Sequence, residues 1–353
     1  MGVIRMADRV RIGIVGAGNF TTGRMLPGFL KAPDTEITVV ANRSHESGER
    51  VAAQFGIPRV ATDYREVVTS PDVDAVFIGA PPSVHKEVTF AALEAGKHVL
   101  CQTRMATTAG DARDMLEYAE EAAAQGIRTM LVPPAPFYRG SRLIDHLLES
   151  GYLGQLRHVQ SFNVNATFAD AKTPLSAGRN DLALYGQFNA MQLGLSYDVM
   201  SRWTGHARSV VAQRGSFVSE RPLTEGGPIT KNPYPDEITV IADTTSGAVA
   251  LNLVNYSLYF ADTRLELYGS EGTVVYHAKG DAIFAAHAGD QELQPMQIPP
   301  EHDNPWRIEE EFVRLVRGEI EQPSFSFADG VKNMEYLEAA YYAAVDGRRV
   351  DLP

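Results

Sequence analysis

Gly16-Ala17-Gly18 closes the apolar run Val10-Arg11-Ile12-Gly13-Ile14-Val15, and an amphipathic stretch follows it at once. A strand that turns sharply into a helix needs a residue free of Cβ sterics, and Gly16 supplies it. Gly18 lets a pyrophosphate come close to the backbone. The N–H groups of Asn19, Phe20 and Thr21 then open the helix and face the phosphate oxygens. Thr21 stands where a G-x-G-x-x-G pattern has its third glycine, so the pattern is partial. A second apolar run, Glu36-Ile37-Thr38-Val39-Val40-Ala41, completes the strand–helix–strand context that a dinucleotide fingerprint requires.

The end of that second run addresses the adenosine ribose. NAD sites usually place Asp or Glu there to bond the 2′-hydroxyl. This chain has Asn42-Arg43-Ser44. Asn42 removes a charge that would repel a 2′-phosphate, and Arg43 brings a guanidinium fork suited to phosphate. Ser44 adds a hydroxyl or caps the helix beginning there. The reading favours NADP(H), with NAD as the alternative.

The remaining composition narrows the class. The chain has 353 residues, 44% hydrophobic, enough for two domains with buried cores. Net charge is −12, and no basic run interleaved with aromatics occurs, which argues against nucleic acid as a partner. The single cysteine, Cys101, rules out an internal disulfide and suits a reducing cytoplasm. The first residues lack a signal-peptide apolar core, no apolar run is long enough to span a bilayer, and Met6 is an alternative start to Met1. The nine histidines are scattered and cysteine pairs are absent, so no metal site is expected.

Strands at Ala75–Ala80, His98–Cys101 and Thr129–Val132 alternate with helices, the last of which opens on a Thr108/Asp111 capping pair. This predicts a doubly wound parallel sheet over residues 1–132. Pro27 lies inside the first helix and predicts a kink. Pro133-Pro134-Ala135-Pro136 marks the boundary to a second α/β domain, 133–353, with a large, open, mainly antiparallel sheet. Alternating runs at 156–164, 207–214, 237–243, 248–255 and 263–268 are its strands, and one helix is expected at about 186–203. After Pro305 the tail returns to helix, with Ile308, Phe312 and Leu315 on one face; its helices are expected to pack back on the first domain.

The chain resembles the Gfo/Idh/MocA family of NAD(P)-dependent oxidoreductases along nearly its whole length. The resemblance is carried by Gly16-Ala17-Gly18, Ala41-Asn42-Arg43-Ser44, Ala80-Pro81-Pro82-Ser83-Val84-His85, Ala95-Gly96-Lys97-His98-Val99-Leu100-Cys101, Leu267-Tyr268-Gly269-Ser270-Glu271-Gly272-Thr273 and Gly347-Arg348-Arg349-Val350. It implies a Rossmann domain and a second domain whose open sheet mediates a homodimer or homotetramer. It implies a carbohydrate-like substrate, and cofactor contacts at Ala80, Pro81, Pro82, His85 and Gln102.

Both catalytic motifs of that family are altered. Where it reads Glu-Lys-Pro, this chain has Gln102-Thr103-Arg104. Where it reads Asp-x-Gly-x-His-x-x-Asp, registering on Gly194 puts Gln192 at the first Asp, Ser196 at the His and Val199 at the last Asp. Hydride transfer at a carbinol carbon needs a proton to move on its oxygen, and Thr103, Arg104 and Ser196 have no base form near neutrality. The remaining candidates for the proton are Tyr185, Tyr197, Asp198 and His85; Asn163, Asn165 and Tyr256 join the cleft by analogy with the fold. The expected function is an NADP(H)-binding oxidoreductase of a cyclic polyol, sugar or ketone with a non-standard proton relay. The alternatives are a non-catalytic cofactor-sensing regulator or partner subunit, and a redox-neutral lyase or isomerase that retains its nucleotide.

Overall fold

The computed structural model describes residues 9–135, 137–175, 181–188 and 192–353. The chain forms two compact units. One comprises the described part of Met1–Pro133 with Arg307–Met334, the other that of Pro134–Trp306 with Glu335–Pro353.

In the first unit, strands β1 (Val10–Val15), β2 (Thr35–Ala41), β3 (Arg59–Ala61), β4 (Ala75–Ile78), β5 (His98–Cys101) and β6 (Thr129–Leu131) pair in parallel in the order β3-β2-β1-β4-β5-β6. Every residue of β4 and β5 is buried, as a sheet covered on both faces requires. The order reverses between β1 and β4, and in such sheets ligands bind at the carboxyl ends of the strands flanking that reversal. Gly16 follows β1 directly, and Gly79-Ala80 follow β4.

The helices of this stretch are α1 (Leu26–Lys31), α2 (His45–Phe55), α3 (Tyr64–Val68), α4 (His85–Glu94) and α5 (Ala109–Ala123). Thr108 caps α5 as expected: its Oγ1 accepts the Asp111 N–H at 3.1 Å. Pro27 is accommodated differently from a simple kink. A π-turn over Thr21–Met25 precedes it, with the Leu26 N–H donating to Thr21 O. The widened turn leaves Pro27 in the first turn of α1, where its missing N–H costs nothing.

The second unit carries β7 (Leu156–Val164), β8 (Ala207–Gly215), β9 (Glu220–Pro222), β10 (Ile229–Lys231), β11 (Glu237–Thr244), β12 (Val249–Asn255), β13 (Arg264–Gly269), β14 (Gly272–His277), β15 (Ala282–His287), β16 (Gln294–Met296) and β17 (Val350–Asp351). Among the described residues, nine of them form a sheet ordered β16-β15-β14-β13-β7-β12-β11-β8-β17, and β9 pairs with β10. The pairing is antiparallel except between β7 and β12, which run parallel with Asn163 opposite Val254. The helices are α6 (Ser141–Glu149), α7 (Leu182–Tyr185) and α8 (Leu193–Thr204).

A continuous helix over 186–203 is not formed. Gly186 ends α7 at φ 76°, and Gln192 caps α8 in the left-handed region at φ 64°. Helix α9 (Ile308–Val316) buries Ile308, Phe312 and Leu315, the face read from the sequence. Helix α10 (Phe327–Asp346) follows; a Cβ at its Gly330 would meet the Leu131 and Met105 side chains. No described helix is long and apolar enough to cross a membrane.

Candidate functional site

The turn after β1 is built by contacts on three sides. Gly16 sits at φ +88°, and a Cβ there would strike the backbone of Gly79 and Ala80. The glycine is therefore required by the chain leaving β4 as well as by the turn. Thr21 is fully buried and donates its Oγ1–H to Gly16 O at 3.1 Å, so it fills the third-glycine position by pinning the turn from beneath. Asn42 Oδ1 accepts the Ala17 N–H at 2.6 Å. Gly18 is different: a Cβ placed on it meets nothing within 4 Å. Beside it, the helical run opens at Asn19 and Phe20 with its first N–H groups outward. These residues fit a dinucleotide pyrophosphate: the turn is braced from below and open above.

Past β2, Ser44 Oγ accepts the Ser47 N–H at 3.3 Å and caps α2. Its hydroxyl thus serves the helix, the second of the two roles foreseen for it. Arg43 is exposed and makes no ion pair with any described residue. The only acidic residue in the first turn of α2 is Glu46, which pairs with Arg50 at 2.5 Å.

His85, one of the sequence candidates, is held in the interior. It is 1% exposed, with Nε2 at 2.7 Å from Ala80 O and Nδ1 at 3.3 Å from Cys101 Sγ and 3.2 Å from Met105 O. Burial lowers its pKa to about 4, so the ring is neutral and carries one N–H. Burial also pushes the Cys101 thiol up, which keeps its S–H. The two ring nitrogens each face a backbone carbonyl, Nε2 that of Ala80 and Nδ1 that of Met105, so the single N–H of the neutral ring can be donated to one of them at a time. His85 thereby fixes the Ala80-Pro81-Pro82 loop against the end of β5. Gln102 continues β5 by donating its N–H to Ile78 O at 2.9 Å.

Thr103 is tied to the neighbouring strand end. Its Oγ1–H is donated to Val132 O, and the Thr103–Arg104 peptide is cis. Arg104 is half-buried; burial is the dominant cause of the lowered His85 pKa, and the Arg104 charge adds a minor effect in the same direction.

The second unit assembles a cluster of uncharged polar groups where β7 and β12 end side by side. Tyr256, the residue after β12, is buried and donates its phenol to Gln192 Oε1 at 2.7 Å, with Asn163 Oδ1 at 3.2 Å. Asn163 Nδ2 donates to Ser196 Oγ at 3.1 Å. Ser196 lies in the first turns of α8 and is 5% exposed. The parallel pairing of β7 with β12 puts Tyr256 two residues beyond the partner of Asn163, within reach of its side chain, and the N-terminus of α8 supplies Gln192 and Ser196. Asn165 lies beyond β7, where its Oδ1 accepts the Thr167 N–H.

The other sequence candidates lie elsewhere. Tyr197 is a core residue: its ring stacks on Tyr336 at 3.9 Å and 11°, and its Oη accepts the Ala207 N–H at 3.2 Å. Asp198 is buried two residues beyond Ser196, about 200° round the helix, and faces away from the cluster. Tyr185 ends α7 and is half-buried. Among the described residues, no group of three or more His, Cys, Asp or Glu side chains forms a metal site.

Comparison with known proteins agrees with this geometry. Residues 10–128 match the GFO_IDH_MocA family model, described as an oxidoreductase family with an NAD-binding Rossmann fold. A dTDP-3,4-didehydro-2,6-dideoxy-alpha-D-glucose 3-reductase of Saccharopolyspora spinosa is 36% identical over 154 residues, 43% of this chain and 45% of that protein, so the chain spans less than half of that relative's length. Levoglucosan dehydrogenase of Pseudarthrobacter phenanthrenivorans is 25% identical over 310 residues, 80% of this chain and 78% of the relative. The structure of a levoglucosan dehydrogenase in complex with NADH and L-sorbose superposes with a TM-score of 0.85, covering 98% of this chain and 99% of that one at 23% identity, which establishes a shared fold. Residues 10–128, with their parallel sheet and glycine turn, match the NAD-binding Rossmann part of the Gfo/Idh/MocA oxidoreductase family, and the whole chain shares the fold of levoglucosan dehydrogenase.

Proposed function

We propose that this protein is an NADP(H)-dependent oxidoreductase that interconverts a carbonyl and a carbinol on a neutral, sugar-like substrate, with a proton relay that uses neither lysine nor histidine. The observation that carries the cofactor reading is the pair formed by Asn42 and Gly18: an amide bracing the turn from below, and open volume above it. Gly18, Asn19 and Phe20 would hold the pyrophosphate through their N–H groups, with Ala80, Pro81, Pro82 and Gln102 forming the neighbouring strand ends. Arg43, exposed and without an acidic partner among the described residues, would take the 2′-phosphate. When bound, the nicotinamide supplies or accepts hydride.

The substrate reading rests on the cluster of Asn163, Gln192, Ser196 and Tyr256, which offers donors and acceptors without a formal charge. Such a set suits hydroxyl groups and a ketone better than an anion. The relatives named for sugar reduction and levoglucosan oxidation support the same class. The exposed Val211, Ile241 and Val249 on one face of the second sheet support self-association there.

The test is a titration of NADPH and NADH by nucleotide fluorescence, followed by a panel of sugar ketones and cyclic polyols read by nicotinamide absorbance. Arg43→Ala is expected to weaken NADPH about tenfold or more and to leave NADH within about twofold, the scale of one charge-assisted phosphate contact. Equal losses would remove the 2′-phosphate role. Tight NADPH binding without turnover on any member would favour a cofactor-sensing protein.

A further inference from the structure

In the second unit a cavity of about 130 Å³ lies among residues that belong to neither the glycine turn nor the polar cluster. Three segments wall it. On the sheet, Arg214 of β8 stands opposite Ile238 of β11, and directly paired residues put their side chains on one face. On α10, Leu337, Tyr341 and Ala344 fall on one stripe of the helix. Phe188, just past α7, and the run Pro233-Tyr234-Pro235 close the sides.

The walls are held by contacts of their own. Phe188 meets Tyr341 edge to face, with centroids 5.3 Å apart at 84°. Tyr234 donates its phenol to Gly186 O at 3.0 Å, which ties the proline run to the end of α7 and commits that hydrogen. The prolines on either side of Tyr234 fix their own φ angles. Ile238 and Leu337 are buried and give an apolar floor. Such a preformed wall spares a ligand the cost of ordering it.

Arg214 is the exception in this lining. It is exposed, and its Cζ lies 5.6 Å from the Tyr341 ring centroid, within the range of a cation–π contact. It makes no ion pair with any described residue, and it is the one charged residue among the described residues that line the cavity. A guanidinium held at an apolar cavity offers a planar fork of donors, and no acid there takes them.

We propose that this cavity binds a small aromatic carboxylate, a single ring carrying one carboxylate, at a site separate from the dinucleotide and substrate sites of the proposed function. The volume suits the ring: an apolar cavity of about 150 Å³ takes up benzene. Phe188 and Tyr341 present aromatic surface to it. The carboxylate receives two parallel N–H bonds from the Arg214 fork. A cationic ring is opposed by the Arg214 charge, and a neutral ring leaves the guanidinium donors to water. The ligand is held without any bond being made or broken.

The test is calorimetry of the full chain with benzoate, and with benzyl alcohol, acetate and benzylamine as comparisons. One benzoate per chain is expected, with a Kd of about 1 mM or tighter, and the three comparisons are expected to bind at least about tenfold more weakly, the scale of one charge-assisted pair or one buried ring. Arg214→Met keeps an apolar stem and loses the fork. It is expected to weaken benzoate about tenfold or more, with a melting temperature within about 2 °C because the position is exposed. Ala344→Phe puts a ring into the cavity and is expected to abolish binding; Arg214→Met carries the test alone if that variant does not fold. Saturating NADPH is expected to leave the benzoate Kd within about twofold. Four results overturn the inference: no benzoate binding to the wild type, benzyl alcohol bound as tightly as benzoate, unchanged affinity in Arg214→Met, or displacement of benzoate by NADPH. None of them bears on nicotinamide turnover, so each leaves the proposed function standing.

Discussion

Asn42 Oδ1 accepts the Ala17 N–H at 2.6 Å, so the residue that follows β2 braces the glycine turn that follows β1. The two strands are parallel neighbours with Val15 opposite Ala41, which places the next residues of each within reach. Asn42 therefore does more than omit a carboxylate: it fixes the backbone on which the pyrophosphate would sit. Asn42→Asp keeps an acceptor for Ala17 and adds a negative charge beside the ribose. It is expected to weaken NADPH about tenfold or more while NADH stays within about threefold, since the like-charge penalty falls on the 2′-phosphate. Fluorescence titration with both nucleotides checks this.

Gly16 and Gly18 are expected to fail in opposite ways. Gly16→Ala must place a Cβ at φ +88° against Gly79 and Ala80, so it destabilises the first unit by several kcal/mol, of order 2–4. Gly18→Ala has room, so its melting temperature is expected to stay within about 2 °C. Its added methyl occupies the space a pyrophosphate would take, and NADPH affinity is expected to fall at least about a hundredfold. Melting curves and nucleotide titrations of the two variants separate the effects.

The first unit is expected to lose stability in mild acid. Burial lowers His85 and His98 each to about 4, below the ordinary value of 6.5. The folded state therefore binds fewer protons than the unfolded chain in the interval between. The stabilisation is whole above pH 6.5 and drains as pH falls toward 4, by an amount of order 3 kcal/mol for each histidine. Denaturant midpoints measured from pH 7 to pH 4.5 are expected to fall steadily. A His85→Gln variant is expected to be less stable at pH 7 and to show a shallower slope; an unchanged slope would count against the buried neutral ring.

Restoring a lysine at position 103 is not expected to restore a standard dehydrogenase. Thr103 Oγ1 is bound to Val132 O, so Thr103→Lys gives up that link. Ser196 also leaves the second motif without an imidazole. Polyol oxidation by Thr103→Lys is expected to remain at or below the wild-type rate. A gain of about tenfold or more in kcat/KM would show that the position accepts the family's base without other change.

The sequence by itself determined the Rossmann unit. Local signals fix it: apolar runs of strand length, glycine at the first turn, Thr108 capping α5, and a period that alternates strand with helix. The limits 156–164, 207–214, 237–243, 248–255 and 263–268 also lie within one residue of β7, β8, β11, β12 and β13 at either end, because one face of each is buried and the alternation records it. Tertiary structure decided which polar side chains meet. His85, a capable proton carrier by residue type, is sealed against Ala80 and Cys101, which no local pattern announces. Tyr256 lies 93 residues from Asn163 and 64 from Gln192, and they meet because β7 and β12 run parallel while the other strands of that sheet alternate. Strand pairing is a long-range choice made by packing, so the cofactor turn was written in one short segment of chain, and the polar cluster came into being only when distant segments folded together.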